Sequence, residues 1–422
     1  MTGGAKAALL TAVALLLVGL LLALTVVPWD AAVAPWAPLD FPDALEAVGS
    51  DAAAAIAAYA AAAWLPGLLG LIAAPAVAVL VLLTPALRSA LARIGPAWPP
   101  LASAFVRCLV LLAVAQVAAL PFDAWLASAR RDHGLLIEPW WTWFGRWLGY
   151  ASLVVVLGSV AVALALAAAR RWPRGWWAGA VVAGFVVAGV ASLAVPLTYQ
   201  VEGTRSDPAL QSRVQEIAAR AGVAVDRVVV AETSDRSPVI NATVSGLGPT
   251  RTVTVFDTLL PGPDAASDTT ASAQVDALIA HELVHVREND VLIGTLLAAL
   301  GAAAIVALAA AVMMSSRVQG TLGAQGAGDP RMVPVPIAIV LVGSLLALPV
   351  GVSVSRAVEA RADREAIALT GDAEAYADLM ARLAATNKST LEPPRWRYAL
   401  LFTHPTPLQR IEAALPSQDP VP

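Results

Sequence analysis

Seven long apolar runs dominate the pattern of hydrophobic and polar positions along the chain. Each run approaches or exceeds the roughly 20 residues that an α-helix needs to cross a hydrocarbon core of about 30 Å. Backbone groups in lipid must be hydrogen-bonded within the segment, which favours helices over isolated strands. The pattern predicts a mainly α, polytopic membrane helix bundle with about seven spans, near Ala7–Val27, Leu65–Leu83, Leu101–Pro121, Leu148–Ala169, Trp176–Leu197, Leu292–Met313 and Val333–Val354.

Polar and charged residues concentrate in two segments that lie on either side of the last two runs. The first segment opens with a helix capped by Asp207 and stopped by Gly222. Short β-branched runs follow and predict a small antiparallel sheet. A helical pattern then resumes at Ala273 and continues into the sixth run. The predicted strands are Arg227–Ala231, Asn241–Val244 and Thr252–Phe256.

These patterns divide the chain into two parts. Residues 1–200 form an N-terminal transmembrane region of about five spans. Residues 201–422 form a small α+β domain, which two spans near 292–313 and 333–354 interrupt.

Composition supports a membrane location and excludes other classes. Hydrophobic residues make up 58% of the chain and charged residues 14%, against about 45–50% and 25% in soluble domains. The net charge of −4 offers no basic surplus, so we expect a lipid bilayer and no nucleic acid among the partners. A single cysteine, Cys108, excludes an intramolecular disulfide and is expected to be buried. Lysine occurs only at Lys6 and Lys388, a bias that suggests a bacterial genome and a bacterial cell membrane.

Basic residues beside the runs bear on orientation, because Lys and Arg near span ends favour the cytoplasmic side. Taken alone, the bias places the N-terminus in the cytoplasm and the polar segment after the fifth run outside. The residues expected to share the cytoplasmic side are Lys6, Arg88, Arg93, Arg170, Arg171 and Arg174, whereas the opposite loops carry Arg130, Arg131 and Arg146 and the loop 30–64 is purely acidic.

The strongest short motif is His281-Glu282-Leu283-Val284-His285. Residues four apart on a helix share one face, so both imidazoles can bind a single zinc ion. Glu282 can then act as the base that takes a proton from water as the water attacks a peptide carbonyl. The alternative is an exposed helical face that carries two histidines. Two of the chain's 4 histidines fall in this motif, and we expect one zinc ion per chain.

A catalytic zinc site needs a third protein ligand as well as an open position. Glu359 follows the last run on a predicted helix and is our candidate. Asp363 lies one turn further on the same face, where its carboxylate can accept a hydrogen bond from the far nitrogen of a ligand histidine. Without the upstream motif, both carboxylates would fit a solvated charged face beside Arg356 and Arg364.

A third histidine, His404, precedes two prolines, Pro405 and Pro407. The prolines predict a rigid turn before a helix, which would hold the imidazole in place. His404 could then donate a hydrogen bond to the oxyanion that forms on the substrate carbonyl. The alternative is a structural turn histidine. His133 lies in a polar loop without such neighbours, and we expect it to be solvated.

Several segments together resemble the integral-membrane zinc endopeptidases that include the type I CAAX prenyl proteases and the HtpX proteases. They occur in the family's order over about the last half of the chain. Five predicted spans before the zinc motif are more similar to the CAAX prenyl protease branch than to HtpX. The matching segments are Asn241-Ala242 with Gly246, Thr252–Leu260, residues 281–285, Ser355-Arg356 with Glu359 and Ala362-Asp363, and His404-Pro405 with Arg410.

The resemblance implies a gluzincin-like zinc-metalloprotease domain that hydrolyses peptides or membrane proteins. It makes His281, His285 and Glu359 the zinc ligands and Glu282 the catalytic base. It also implies that Arg410 braces the site and that Asn241 and Ala242 lie on an edge strand to which substrate adds as a further strand. The sequence departs from the prenyl protease branch at Asp290, where that branch often has another histidine. In the eukaryotic relatives the site opens toward the cytosol, opposite to the orientation that the arginine bias favours.

Two other classes of protein are compatible with parts of the sequence. A membrane sensor or regulator could retain the metalloprotease fold and signal through a partner. A transporter would carry ionisable residues midway along its spans, and most of the runs lack them.

Overall fold

The computed structural model describes residues 2–32, 41–246, 248, 251–260 and 269–415, and within 192–202 it describes the backbone alone. Helices account for most of these residues. They are α1 (Gly3–Val26), α2 (Pro42–Val48), α3 (Ser50–Leu83), α4 (Pro85–Ala92), α5 (Pro100–Asp132), α6 (Trp140–Arg171), α7 (Trp176–Glu202), α8 (Pro208–Ala221), α9 (Thr269–Arg287), α10 (Asp290–Met313), α11 (Ser316–Leu322), α12 (Pro334–Thr370), α13 (Ala373–Asn387), α14 (Arg395–Leu401) and α15 (Pro407–Glu412).

Six of the described helices are long and apolar enough to cross a membrane: α1, α3, α5, α6, α10 and α12. The mean hydropathy of their most apolar 18 residues is between 2.1 and 2.8. No more than 44% of the residues in any such window are buried inside the protein, so most of their side chains point outward, as in helices that face lipid. The chain is therefore a multi-pass membrane protein, as the apolar runs predict.

The fifth predicted run lies in α7. The described side chains of its apolar part, Trp176–Ala191, fall short of a full span by themselves. Each of the seven predicted runs thus lies within a helix to within one residue at its ends, and six of these helices meet the length and hydropathy of a span in the described residues.

Within the bundle, helix α10 packs against α1, α7 and α12. Its buried face is made of alanines, including Ala299, Ala303 and Ala307 at intervals of one turn. Small residues let neighbouring helices approach closely in a membrane, where van der Waals packing replaces the hydrophobic effect. α10 begins in the polar part of the molecule, and α12 continues into it at the same end of the bundle.

The polar part contains α8 and a four-stranded sheet. The side chain of Asp207 accepts a hydrogen bond from the amide of Leu210 at 3.1 Å, and Gly222 ends α8 in the left-handed conformation with φ 72°. Both confirm the predicted helix ends. The strands are β1 (Thr204–Arg205), β2 (Arg227–Ala231), β3 (Ala242–Ser245) and β4 (Thr252–Phe256).

The predicted antiparallel arrangement of the sheet is wrong in one respect. The strand order is β1-β2-β4-β3, and β2 pairs with β4 in parallel, whereas β1 with β2 and β3 with β4 are antiparallel. The two central strands bury consecutive residues rather than alternate ones, as strands covered on both faces do. β3 is left at an edge of the sheet.

The helical pattern that starts near Ala273 is predicted to continue into the sixth span, but the helix is interrupted before that span. α9 ends at Arg287, and α10 starts at Asp290. Between them, Asn289 has a φ of 59°, in the left-handed region that asparagine tolerates better than most residues. The break between the two helices lies four residues after the second histidine of the motif.

One core joins the sheet, α8, α9, α13 and α15, with Ile279, Leu283, Tyr376 and Leu379 among its fully buried residues. Residues of α2 and the start of α3 pack into the same core. The boundary near residue 200 stays a prediction.

The prediction that His133 is simply solvated is wrong. Its side chain is half-buried, its Nδ1 lies 2.9 Å from the carbonyl oxygen of Ala129, and its ring centroid is 5.5 Å from that of Tyr59. Cys108 is buried and free, as expected.

Candidate active site

The predicted site residues come from α9, α12, α15, the start of β3 and the loop before α15, which meet where the bundle joins the polar part. α9 carries His281, Glu282 and His285, and α12 continues past its membrane span to Glu359 and Asp363. α15 carries Arg410. β3 packs against α9, and the loop before α15 carries His404.

Two histidines and a glutamate form the single group of possible metal ligands found among the described residues. One donor atom from each of His281, His285 and Glu359 lies within 4.8 Å of the others. Nε2 of His281 is 3.2 Å from Nε2 of His285 and 3.1 Å from Oε2 of Glu359, and Nε2 of His285 is 3.8 Å from Oε1 of Glu359. Tetrahedral zinc with bonds of about 2.0–2.1 Å separates its donors by roughly 3.4 Å. The donor set therefore fits a zinc ion.

Asp363 supports His281 from behind the donor set. Its Oδ1 lies 2.9 Å from Nδ1 of His281, a hydrogen-bond distance although the angle departs from hydrogen-bond geometry. Arg410 donates to both oxygens of Asp363, from Nε at 2.9 Å and from Nη2 at 2.7 Å. Arg410 also donates to the hydroxyl of the buried Tyr376 at 3.1 Å. The structure thus brings together the two supporting residues that the sequence analysis named.

A second carboxylate lies against His285. Oδ2 of Asp290 is 2.9 Å from Nδ1 of His285, and Oδ1 of Asp290 accepts a hydrogen bond from Nη2 of Arg361 at 2.5 Å. In the sequence, Asp290 stands out only as a departure from the resembling family, and Arg361 was not among the predicted site residues. The signal available in the sequence was an aspartate placed shortly after the second histidine.

Glu282 is held between the donor set and the edge strand. Its Oε2 accepts a hydrogen bond from the backbone amide of Val244 at 2.9 Å. Burial is the main influence on this carboxyl and raises the pKa of Glu282, while the neighbouring His285 and His281 act in the opposite direction. A buried carboxylate with a raised pKa is a stronger proton acceptor than a solvated one.

The bond from Val244 fixes which backbone groups of β3 face the free edge. Val244 turns its amide toward Glu282, on the side of β3 away from β4. Because backbone groups of a strand repeat every two residues, the amide and carbonyl of Ala242 point to that side as well. The carbonyl of Asn241 faces β4, where it accepts from Phe256 at 2.9 Å. Asn387 anchors the preceding residue, Ile240, through two bonds: its Oδ1 accepts from the Ile240 amide at 2.8 Å, and its Nδ2 donates to the Ile240 carbonyl at 2.9 Å. The sequence analysis missed Asn387.

His404 lies beside the donor set. Its Nε2 is 3.4 Å from Oε2 of Glu359, and its side chain is 52% exposed. Nδ1 is 2.8 Å from the hydroxyl of Thr403. The rigid turn predicted here is present, because Thr406 and Gln409 form a reciprocal capping box at the start of α15. His404 is thus fixed next to the ligands with an accessible imidazole edge.

A cavity of about 480 Å³ opens onto these residues. Its wall combines site residues with apolar side chains, the lining expected of a site that binds part of a peptide. The apolar lining residues include Leu278, Met380, Leu383, Leu401 and Phe402. A larger cavity, of about 810 Å³, lies near Gly3, Arg170 and Met314 at the opposite end of the bundle and contacts none of the site residues.

The fold and the donor set together define a class: a multi-pass membrane protein with a metallopeptidase-type arrangement of histidines and glutamates. Residues 204–417, just over half of the chain, match the family model described as Peptidase family M48. The chain belongs to this family. Membership and the donor set imply a bound metal ion.

Relatives and a solved structure agree with the family. The chain is 26% identical over 212 residues to the uncharacterized metalloprotease YhfN of Bacillus subtilis, covering 49% of this chain and 47% of that one. It is 29% identical over 178 residues to a protease HtpX homolog of Ralstonia pickettii, covering 42% and 56%. The chain thus spans about half the length of these relatives. The crystal structure of S. mikatae Ste24p matches with a TM-score of 0.68 at 17% identity, over 98% of this chain and 99% of that one, which shows a shared fold.

These findings confirm the resemblance to the membrane metalloprotease families and the predicted fold class, a helix bundle with a small α+β protease domain.

Proposed function

We propose that this protein is a membrane-embedded zinc endopeptidase. The observation that carries the proposal is the convergence of His281, His285 and Glu359 on one point, with Glu282 next to an edge strand. These are the groups that hydrolysis of a peptide bond requires: three ligands, a base and a place for the substrate backbone.

Each residue has a defined task in the proposed reaction. His281, His285 and Glu359 would hold a zinc ion, which when bound would supply Lewis-acid activation of the substrate carbonyl and of water. Glu282 accepts the proton of the attacking water on a carboxylate oxygen and passes it to the leaving amine nitrogen. His404 donates a hydrogen bond from Nε2 to the carbonyl oxygen as negative charge develops there. Asp363, braced by Arg410, holds His281 with Nε2 directed at the ligand set.

The substrate is proposed to bind as an extended strand along β3. The outward-facing backbone groups of Ala242 can pair with a peptide, and Asn241 lines the adjoining cavity. Such pairing reads the backbone more than the side chains. We therefore expect unstructured peptides or unfolded parts of membrane proteins as substrates.

The alternative of a sensor or regulator has less support. A chain that kept the fold without the reaction would not need to retain the base and all three ligands, and here all four converge.

The proposal is tested on the purified full-length chain in lipid nanodiscs, with a fluorescently labelled unstructured protein as substrate. Glu282→Gln keeps the shape of the side chain and removes the proton acceptor. We expect at least a 100-fold loss of hydrolysis with about one zinc ion still bound per chain. Glu216→Gln, an exposed change on α8, is the matched control and should cleave like the unmodified chain. Equal activity of Glu282→Gln and the control would overturn the proposal.

A further inference from the structure

The two ligand histidines are supported in parallel ways. Behind each imidazole lies a carboxylate near Nδ1, and each carboxylate is bound by an arginine. For His281 these are Asp363 and Arg410. For His285 they are Asp290 and Arg361, and the proposed mechanism gives this second pair no task.

The carboxylate of Asp290 uses both oxygens. Oδ2 lies 2.9 Å from Nδ1 of His285, and Oδ1 lies 2.5 Å from Nη2 of Arg361. The side chains of Asp290 and His285 are 10% and 13% exposed. Little water therefore competes for these contacts, and we assign the proton to Nδ1 of His285, which leaves the lone pair of Nε2 facing His281 and Glu359.

The position of Asp290 follows from the break between α9 and α10. Asn289 turns the chain in the left-handed conformation, and Asp290 starts the next helix. An unbroken helix would instead carry residue 290, five positions after His285, around to a different face. The turn thus places the carboxylate against the histidine.

Arg361 connects this turn to the third ligand. It lies two residues after Glu359 on α12, and its Nη1 is 3.6 Å from Oε2 of Glu288 in addition to the bond with Asp290. Its side chain is 13% exposed. One guanidinium therefore spans from the helix that carries Glu359 to the junction after the helix that carries His285.

We propose that Asp290 and Arg361 are positioning residues for the metal: Asp290 sets the tautomer and ring orientation of His285, and Arg361 fixes the junction relative to Glu359. The inference rests on the proposed zinc site. A purely structural ion pair at a helix junction would stabilise the fold without affecting metal binding, and this difference makes the two roles separable.

The test measures metal binding rather than hydrolysis. Full-length chain is stripped of metal, and the dissociation constant for zinc is obtained by competition with a chromophoric chelator. For Asp290→Asn we expect binding 10–100-fold weaker, the effect typical of removing a carboxylate behind a ligand histidine, with one zinc per chain at saturation. Substitution of cobalt for zinc provides a second readout, and we expect its visible absorption bands to shift in the variant.

Asp276→Asn is the matched control. Asp276 lies on α9 and forms an ion pair with Arg213 through both oxygens, so its loss removes a similar pair with no contact to a ligand. We expect unchanged zinc affinity and cobalt spectrum. Arg361→Lys is the second variant: it keeps the charge, loses the planar fork, and should weaken zinc binding less than Asp290→Asn.

The outcomes separate this inference from the proposed function. One outcome is that the unmodified chain binds one zinc and hydrolyses substrate while Asp290→Asn shows the same zinc affinity and cobalt spectrum. This result would overturn the positioning role alone. Equal weakening by Asp290→Asn and Asp276→Asn would also overturn it, because a structural effect would then suffice. An unmodified chain that binds no zinc would overturn the proposed function and this inference with it.

Discussion

His404 is the residue whose geometry separates a catalytic role from a structural one. Its imidazole is half exposed and faces the cavity next to Glu359, whereas Asp363 and Arg410 are buried behind the ligands. A residue in this position can contact the substrate without holding the metal.

We expect His404→Gln to lower kcat by about 10²–10³, the loss typical when one hydrogen-bond donor to an oxyanion is removed. Zinc content should not change, because the nitrogen of His404 is not part of the ligand group. Steady-state kinetics and metal analysis check both points. His133→Gln alters a histidine that contacts Tyr59 and Ala129 instead, and it should cleave normally. A His404 variant with full kcat would show that this residue has only a structural role in the turn.

Several site residues could be predicted from the sequence because their spacing alone places them. Histidines four apart on one helix share a face, and Asp363 follows Glu359 by one turn, so periodicity is enough. Asp290, Arg361 and Asn387 required the turn at Asn289 and the packing of α12 and α13, which are set by contacts between distant parts of the chain. The local pattern of residue types along the chain does not specify such contacts.

At the scale of elements, the sheet shows the same limit. The short strands were predictable from β-branched runs, but the parallel pairing of β2 with β4 depends on where β3 is placed after a ten-residue connection. Asp257, directly after β4, helps to fix this connection. Its Oδ1 accepts hydrogen bonds from the amides of Thr233 and Ser234, and its Oδ2 accepts one from the hydroxyl of Ser234 at 2.6 Å.

These contacts predict a pH-dependent contribution to stability. Partial burial acts to raise the pKa of Asp257, but the hydrogen bonds from Ser234 and Thr233 outweigh it and the pKa is lowered. A carboxyl whose pKa is lower in the folded state stabilises the fold above its unfolded pKa of about 3.9 and loses that contribution as the pH falls further. Asparagine does not titrate.

We therefore expect Asp257→Asn to lower the thermal unfolding temperature at pH 7, and the difference from the unmodified chain to shrink as the pH falls below about 4. Both proteins should be stripped of metal, so that release of zinc does not contribute. Asp235→Asn changes an exposed carboxylate in the same connection and should show a much smaller difference. A difference for Asp257→Asn that stays constant down to pH 3 would contradict the role of its charge.

At the scale of the whole molecule, charge is distributed unevenly between the two ends of the bundle. Arg170 and Arg174 share a cavity with the start of α1, and Arg88 and Arg331 share another, so the ends of these helices lie together, away from the candidate metal ligands. The α1 start and the connections 84–99, 172–175 and 314–333 are rich in Lys and Arg, with Asp329 as the one acidic residue. The connection after α1 has acidic residues and no Lys or Arg.

The positive-inside tendency predicts that the basic end faces the cytoplasm, which places the site on the other side of the membrane. Alkaline phosphatase fused to the C-terminus should then be active in a bacterial host, and green fluorescent protein fused there should be dark. The same reporters placed in the connection between α6 and α7 should give the opposite pair of results. A fluorescent C-terminal fusion would instead place the site in the cytoplasm, as the resemblance to the eukaryotic relatives implies.

In the proposed function, one zinc ion bound at the meeting point of α9 and α12 makes this chain a peptidase. The most direct test is to remove metal from the full-length protein with a chelator and to add zinc back in steps while hydrolysis of an unstructured substrate is measured. We expect activity that rises with zinc and reaches a plateau at about one equivalent per chain, and no recovery for Glu359→Gln at the same zinc concentrations. Hydrolysis that persists in the chelated protein, or that never appears at any zinc concentration, would contradict it.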